Sequence, residues 1–163
     1  MDSTVNFLHE FFEATARRWP DHLAIDVPPS SQRSARRSLT YAELKRQSDA
    51  LAHVLRDFVT RDERIIVIIL PRASERLYVA QLAVLKVGAA FACVDPAFPD
   101  GQVRAVLDDS EAAAILTDAE GMNRVRRLHA LAPALNVVDG PETTNPVPDP
   151  VAPAAWRTTE GLA

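Results

Sequence analysis

The run "RIIVIIL" (residues 64–70) is apolar and almost wholly β-branched after Arg64. A strand with one wet face alternates polar and apolar side chains. This run does not, so it needs apolar cover on both faces. A parallel sheet sandwiched between helices meets that condition. Pro71 then ends the strand, because proline brings no N–H and a fixed φ.

The flanking segments supply the rest of such a layer. Residues 74–87 predict a helix with Ser74 as N-cap and Gly88 as its stop. Apolar residues cover most of its surface, so it is expected between layers. "AAFACV" (89–94), "AAILTD" (113–118) and "LNVVD" (135–139) predict three further strands. Asp100 is expected to cap a helix carrying Val103, Val106 and Leu107, and Asp118 one carrying Met122, Val125 and Leu128. Strands alternating with helices are βα units with right-handed crossovers. The expected fold class is α/β, a parallel sheet layered with helices.

Upstream, Leu8, Phe11, Phe12, Thr15 and Trp19 recur at helical spacing until Pro20 and Asp21, which predicts a core-packing amphipathic helix. Residues 22–27 predict a short strand. Residues 28–38 read as a loop whose Arg33, Arg36 and Arg37 form a solvated patch, with phosphate contact as the lesser alternative. Thr40 and Glu43 form a capping box. The helix behind it shows Leu44, Gln47, Leu51, Val54, Leu55 and Phe58 on one face. Five prolines fall between Pro141 and Pro153. Residues 1–140 are therefore expected to form one folded part, and 141–163 an extended connector.

No catalytic constellation is visible. A phosphate cradle needs clustered glycines, but Gly88, Gly101, Gly121, Gly140 and Gly161 lie far apart. His9, His22, His53 and His129 show no metal-ligand spacing with each other or with Cys93. Cys93 is expected to be a small core hydrophobe in a buried strand. Asp108 and Asp109 read as an exposed turn. No catalytic, cofactor-binding or metal-binding residue is assigned. Ligands of open parallel sheets bind beyond the carboxyl ends of the strands, where Asp95, Thr117 and Asp118 fall; helix capping is the competing role. A net charge of -4 argues against nucleic acid or membrane as partner. One cysteine, no signal-peptide pattern and no long apolar run point to the cytoplasm.

The segments "LHEFFEATARRWPDHLAI", "LTYAELKRQSDALAHVL", "LAVLKVGAAFACVDPAFP" and "VRAVLDDSEAAAILTD" occur in this order. Together they resemble the start of an amino-acid adenylation domain of nonribosomal peptide synthetases, within the adenylate-forming superfamily. Leu39, Thr40, Tyr41, Glu43 and Leu44 match its first core motif. Leu85, Lys86, Gly88, Ala89, Phe91, Asp95 and Pro96 match the second. Val87, Phe91 and Cys93 depart from the usual Ala, Tyr and Pro. The resemblance implies ATP- and Mg²⁺-dependent activation of an amino acid and its transfer to a phosphopantetheine carrier protein. It also implies that the phosphate loop, substrate pocket and catalytic lysine come later in the family. The chain is thus expected to be an incomplete N-terminal subdomain. It should bind no cofactor, be inactive alone and have the rest of the domain as its first partner. The alternatives are a scaffold that binds a complementing chain, a fragment of an acyl-CoA synthetase, and a small-molecule binder of flavodoxin-like shape. The helix over 74–87 is expected to leave an apolar patch uncovered.

Overall fold

The β-branched run is the second strand of a four-stranded sheet. In a computed structural model of the chain, residues 7–30, 34–59 and 64–137 are described. The elements are α1 (Leu8–Arg18), β1 (Leu23–Val27), β2 (Arg37–Thr40), α2 (Tyr41–Leu55), β3 (Ile65–Ile69), α3 (Glu75–Lys86), β4 (Ala90–Val94), α4 (Asp100–Ser110), β5 (Ala114–Thr117), α5 (Ala119–Arg127) and β6 (Ala134–Asn136). The sheet has the order β4-β3-β5-β6, and every neighbouring pair in it is parallel.

β3 shows why its sequence could not alternate. Ile66 and Ile68 enter a core with Ala80, Ala83 and Val84 of α3 and Leu55 of α2. Val67 and Ile69 enter a second core with Val103 and Leu107 of α4 and Val125 of α5. Each such burial stabilises the fold by about 1.5–3 kcal/mol. The expected α/β layer is present, with helices on both faces.

The helix stops follow backbone chemistry. Gly88 sits at φ +75°, where other residues are strained. The Ala89 N–H donates to Val84 O at 3.2 Å and the Gly88 N–H to Leu85 O at 3.1 Å. This is the closing pair of a Schellman motif, and it turns the chain straight into β4. Ser74 caps α3 by accepting from the Arg76 N–H.

Several expectations need correction. The loop expected over 28–38 ends early: β2 begins at Arg37 and pairs antiparallel with β1, Val27 facing Arg37 and Leu23 facing Thr40. Cys93 is exposed, because β4 pairs only with β3 among the described strands and forms a sheet edge. The presumed core face of α1 is mostly outward: Leu8 is 72% and Phe11 60% exposed, and Ala16 is the buried residue. Val54 is likewise exposed on α2. Asp100 does not cap α4: the N-cap is Pro99, with no side-chain hydrogen bond. β6 is shorter than its expected strand, whose Val138 and Asp139 lie outside the described residues. α3 is largely covered by α2 and the sheet, while Tyr78 on it stays exposed.

Candidate functional site

At the carboxyl edge of the sheet lies a cleft of about 430 Å³, bounded by Ile69, Pro71, Pro96, Asp118, Asn123 and Arg124. The three polar residues expected here are all engaged. Asp95 accepts from the Ala97 N–H at 2.9 Å, holding the turn after β4. Thr117 is fully buried and donates to Ile69 O at 2.9 Å, tying β5 to β3. Asp118 caps α5 through the Gly121 N–H at 2.8 Å.

Sequence reasoning missed Arg124. It donates to Asp100 Oδ1 at 2.7 Å and to Pro96 O at 2.7 Å, and also to Phe98 O. It thereby clamps the turn between β4 and α4. This is also what Asp100 does in place of capping. No local pattern announces it, because its partners lie 24 to 28 residues away.

These residues do not fit a nucleotide triphosphate. Asp118 and Glu120 line the cleft beside Arg127, the Gly121 amide is taken, and Arg124 is fully employed by protein oxygens. No metal-binding group of three or more His, Cys, Asp or Glu occurs among the described residues. Of the basic patch, Arg36 is held by Asp26, its Nε 2.6 Å from Oδ1. That hydrogen bond, more than the small opposing effect of burial, holds the Asp26 carboxyl below its usual 3.8. Arg33 lies outside the described residues.

The two sequence motifs converge elsewhere. Tyr41, Leu44, Leu85 and Phe91 line an open groove of about 640 Å³ between α1, β1 and α3. Leu39 and Ala89 are buried in two different cores. Thr40 accepts from the Glu43 N–H at 3.2 Å, and the Glu43 carboxylate accepts from the Thr40 N–H at 2.9 Å. Loss of this reciprocal cap in Thr40→Ala should cost about 1 kcal/mol. Urea unfolding checks this, and a shift in midpoint without a change in slope is the expected form.

Lys86 stands at the junction of α1, α2 and α3. It is 9% exposed and lies 2.6 Å from both Glu13 and Asp49. It also donates to Ser48 Oγ at 2.9 Å and sits 5.3 Å from the centre of the Phe12 ring. Lys45 approaches Glu13 at 3.0 Å and Asp49 at 2.6 Å. Burial alone would raise the Glu13 and Asp49 carboxyls, but the two ammonium groups outweigh it and hold both below their usual values. The hydrogen bond to Asp49, followed by weaker effects, keeps the Lys45 ammonium above its usual 10.5.

The AMP-binding enzyme family matches residues 12–160. AMB antimetabolite synthetase AmbB of Pseudomonas aeruginosa is 38% identical over 138 residues, covering 85% of this chain and 10% of AmbB. The N-(5-amino-5-carboxypentanoyl)-L-cysteinyl-D-valine synthase of Penicillium rubens is 37% identical over 120 residues, covering 74% of this chain and 3% of the synthase. The nonribosomal peptide synthetase FmoA3 superposes with a TM-score of 0.64 at 28% identity, over 81% of this chain and 13% of that one. The N-terminal subdomain of Klebsiella oxytoca NpsA gives 0.61 at 26%, over 82% and 31%. The chain spans a tenth or less of the length of the first two relatives. The parallel sheet, the two converging motifs and these likenesses agree: the chain belongs to the AMP-binding enzyme family, where it corresponds to the N-terminal part of an adenylation domain of the nonribosomal peptide synthetase type.

Proposed function

We propose that this chain supplies the scaffold of an ATP-dependent, amino-acid-activating enzyme of nonribosomal peptide synthesis, and not its chemistry. One observation carries the reading: the family motifs supply a helix cap, a turn, an ion pair and apolar packing, while Asp95, Thr117, Asp118 and Arg124 at the sheet's carboxyl edge are all engaged within the chain. Residues 1–140 form the N-terminal part of the adenylation domain, and 141–163 lead toward the phosphate loop. ATP, Mg²⁺, the amino acid and a phosphopantetheine carrier engage the complete enzyme, in the cytoplasm. The peptide-synthetase relatives favour an amino acid over the acyl-CoA alternative.

The test is amino-acid-dependent ATP–pyrophosphate exchange across a panel of amino acids. The isolated 163-residue chain should show none above background. Exchange that depends on one amino acid would overturn the proposal.

A second reading, a scaffold completed by another chain, is favoured by the open β4 edge. Phe91 and Cys93 are the β4 residues whose backbone groups face away from β3, given that the Ala90 N–H donates to Arg64 O on the β3 side and directions alternate along a strand. These groups have no strand partner among the described residues, and such groups are a template for another strand.

A further inference from the structure

We propose that the proline-rich segment 146–156, "PVPDPVAPAAW", docks in the groove between α1, β1 and α3. The groove is walled by four aromatic rings, those of Phe12, Tyr41, Tyr78 and Phe91. Aromatic-lined grooves are the natural receptors of proline-rich chains. Flat rings pack on pyrrolidine rings, and a chain already biased to polyproline II loses little entropy on binding. The segment has four prolines in its first eight residues and ends on Trp156, an indole large enough to fill an apolar recess.

The reach is sufficient. β6 is parallel to β3 and two strands from it, so their carboxyl ends lie about 10 Å apart on one edge of the sheet. Arg72 and Ala73, just beyond β3, form the near lip of the groove. Residues 138–145 can span about 25 Å when extended. Attachment also gives the segment an effective concentration in the millimolar range, which a free partner would have to match.

Charge agrees with this placement. Arg72 is 84% exposed at the groove lip and leans on Asp95 at 3.6 Å. Asp149, held between Pro148 and Pro150, is the acid of the segment. Asp26, the acid among the residues that line the groove, is already occupied by Arg36.

The full chain carrying Trp19→Phe leaves Trp156 as its one indole, so its fluorescence reports on the segment. The expected result is a blue-shifted emission and an acrylamide quenching constant severalfold below that of free tryptophan amide. Tyr78→Ala and Arg72→Glu should each raise the quenching constant. Pairing Arg72→Glu with Asp149→Arg should restore the protection; because both side chains are charged and Arg72 is exposed, misfolding does not explain a rescue. Three outcomes overturn the proposal: Trp156 as accessible as the free amide, protection that neither groove variant changes, or protection that disappears on dilution, which would put the segment in the groove of a second copy. The readout needs no adenylation activity, so it stands or falls apart from the exchange assay.

Discussion

Replacing Gly121 by alanine should destabilise the chain by about 2 kcal/mol, although alanine is the better helix former. A Cβ at position 121 would lie 1.8 Å from Thr117 Oγ1, 3.0 Å from Thr117 Cβ and 3.3 Å from Asp118 Oδ1. The glycine lets the first turn of α5 press against the end of β5. Thr117 has no room to yield: it is fully buried, and its hydroxyl is committed to Ile69 O. Turning it away would leave a buried hydroxyl and carbonyl unpaired, at about 1–3 kcal/mol. Moving α5 instead would pull the Gly121 amide off Asp118 and cost a cap. Overpacking of this kind costs about 1–3 kcal/mol, against a gain in helix propensity of about 1 kcal/mol. Chemical denaturation of the single variants and of Thr117→Ala/Gly121→Ala checks the account. The double variant should be less destabilised than the sum of the two singles, because removing Oγ1 removes the 1.8 Å contact and leaves the milder one at 3.0 Å to Thr117 Cβ. Additive losses would mean that the two residues do not oppose each other as described.

Gly121 also shows where sequence reading stops. Its helix was legible, since Asp118 followed by apolar residues at helical spacing is a local signal. So were Ser74, Thr40 with Glu43, and the Gly88 stop, because caps act within one turn. The four parallel strands were legible from apolar runs between those signals. Position in the sheet was not. "AAFACV" looks as buried as "AAILTD", yet β4 is an edge and Cys93 faces out, because strand order is decided by packing and not by the strand's own residues. β2 was hidden for a different reason: "RSLT" is short and mostly polar, and it becomes a strand through its pairing with β1. The buried face of α1 is not legible because its apolar residues outnumber those its neighbours cover, and Leu8 and Phe11 remain outside. At the carboxyl edge the capping role of Asp118 was readable, whereas the clamp by Arg124 joins residues that only the fold brings together. The family motifs identified the chain without stating what their residues do. Tyr41, Leu44, Leu85 and Phe91 meet on the groove, while Lys86 leaves the motif to bind α1 and α2.

That role makes Lys86→Met the other substitution with a large expected effect, a loss of about 3 kcal/mol near neutral pH, at the low end of losses from deleting one partner of a buried pair. Methionine keeps an unbranched, flexible apolar stem, so the loss is one of charge. Without Lys86, Glu13 keeps Lys45 at 3.0 Å, and Ser48 loses a donor. Asp49 stays half-exposed and is less affected. In the native chain the Glu13 carboxyl is held below its usual 4.5. Its contribution is therefore fully present above that value and is lost as pH falls through the depressed folded value. In the variant, burial is opposed by one ammonium fewer, so the Glu13 pKa moves upward. The variant thus suffers most when Glu13 is charged. Its deficit should shrink as pH falls from the variant's raised Glu13 pKa to the depressed native one, because the unfolded chain is common to both proteins and only the two folded forms differ in proton uptake. Urea unfolding of the two proteins near neutral pH and again on the acid side of that value measures the difference. A deficit of equal size at both pH values would show that the loss does not come from the pairing of Lys86 with the Glu13 carboxylate. A deficit that narrows on acidification would show that its charge holds α1 against α2 and α3.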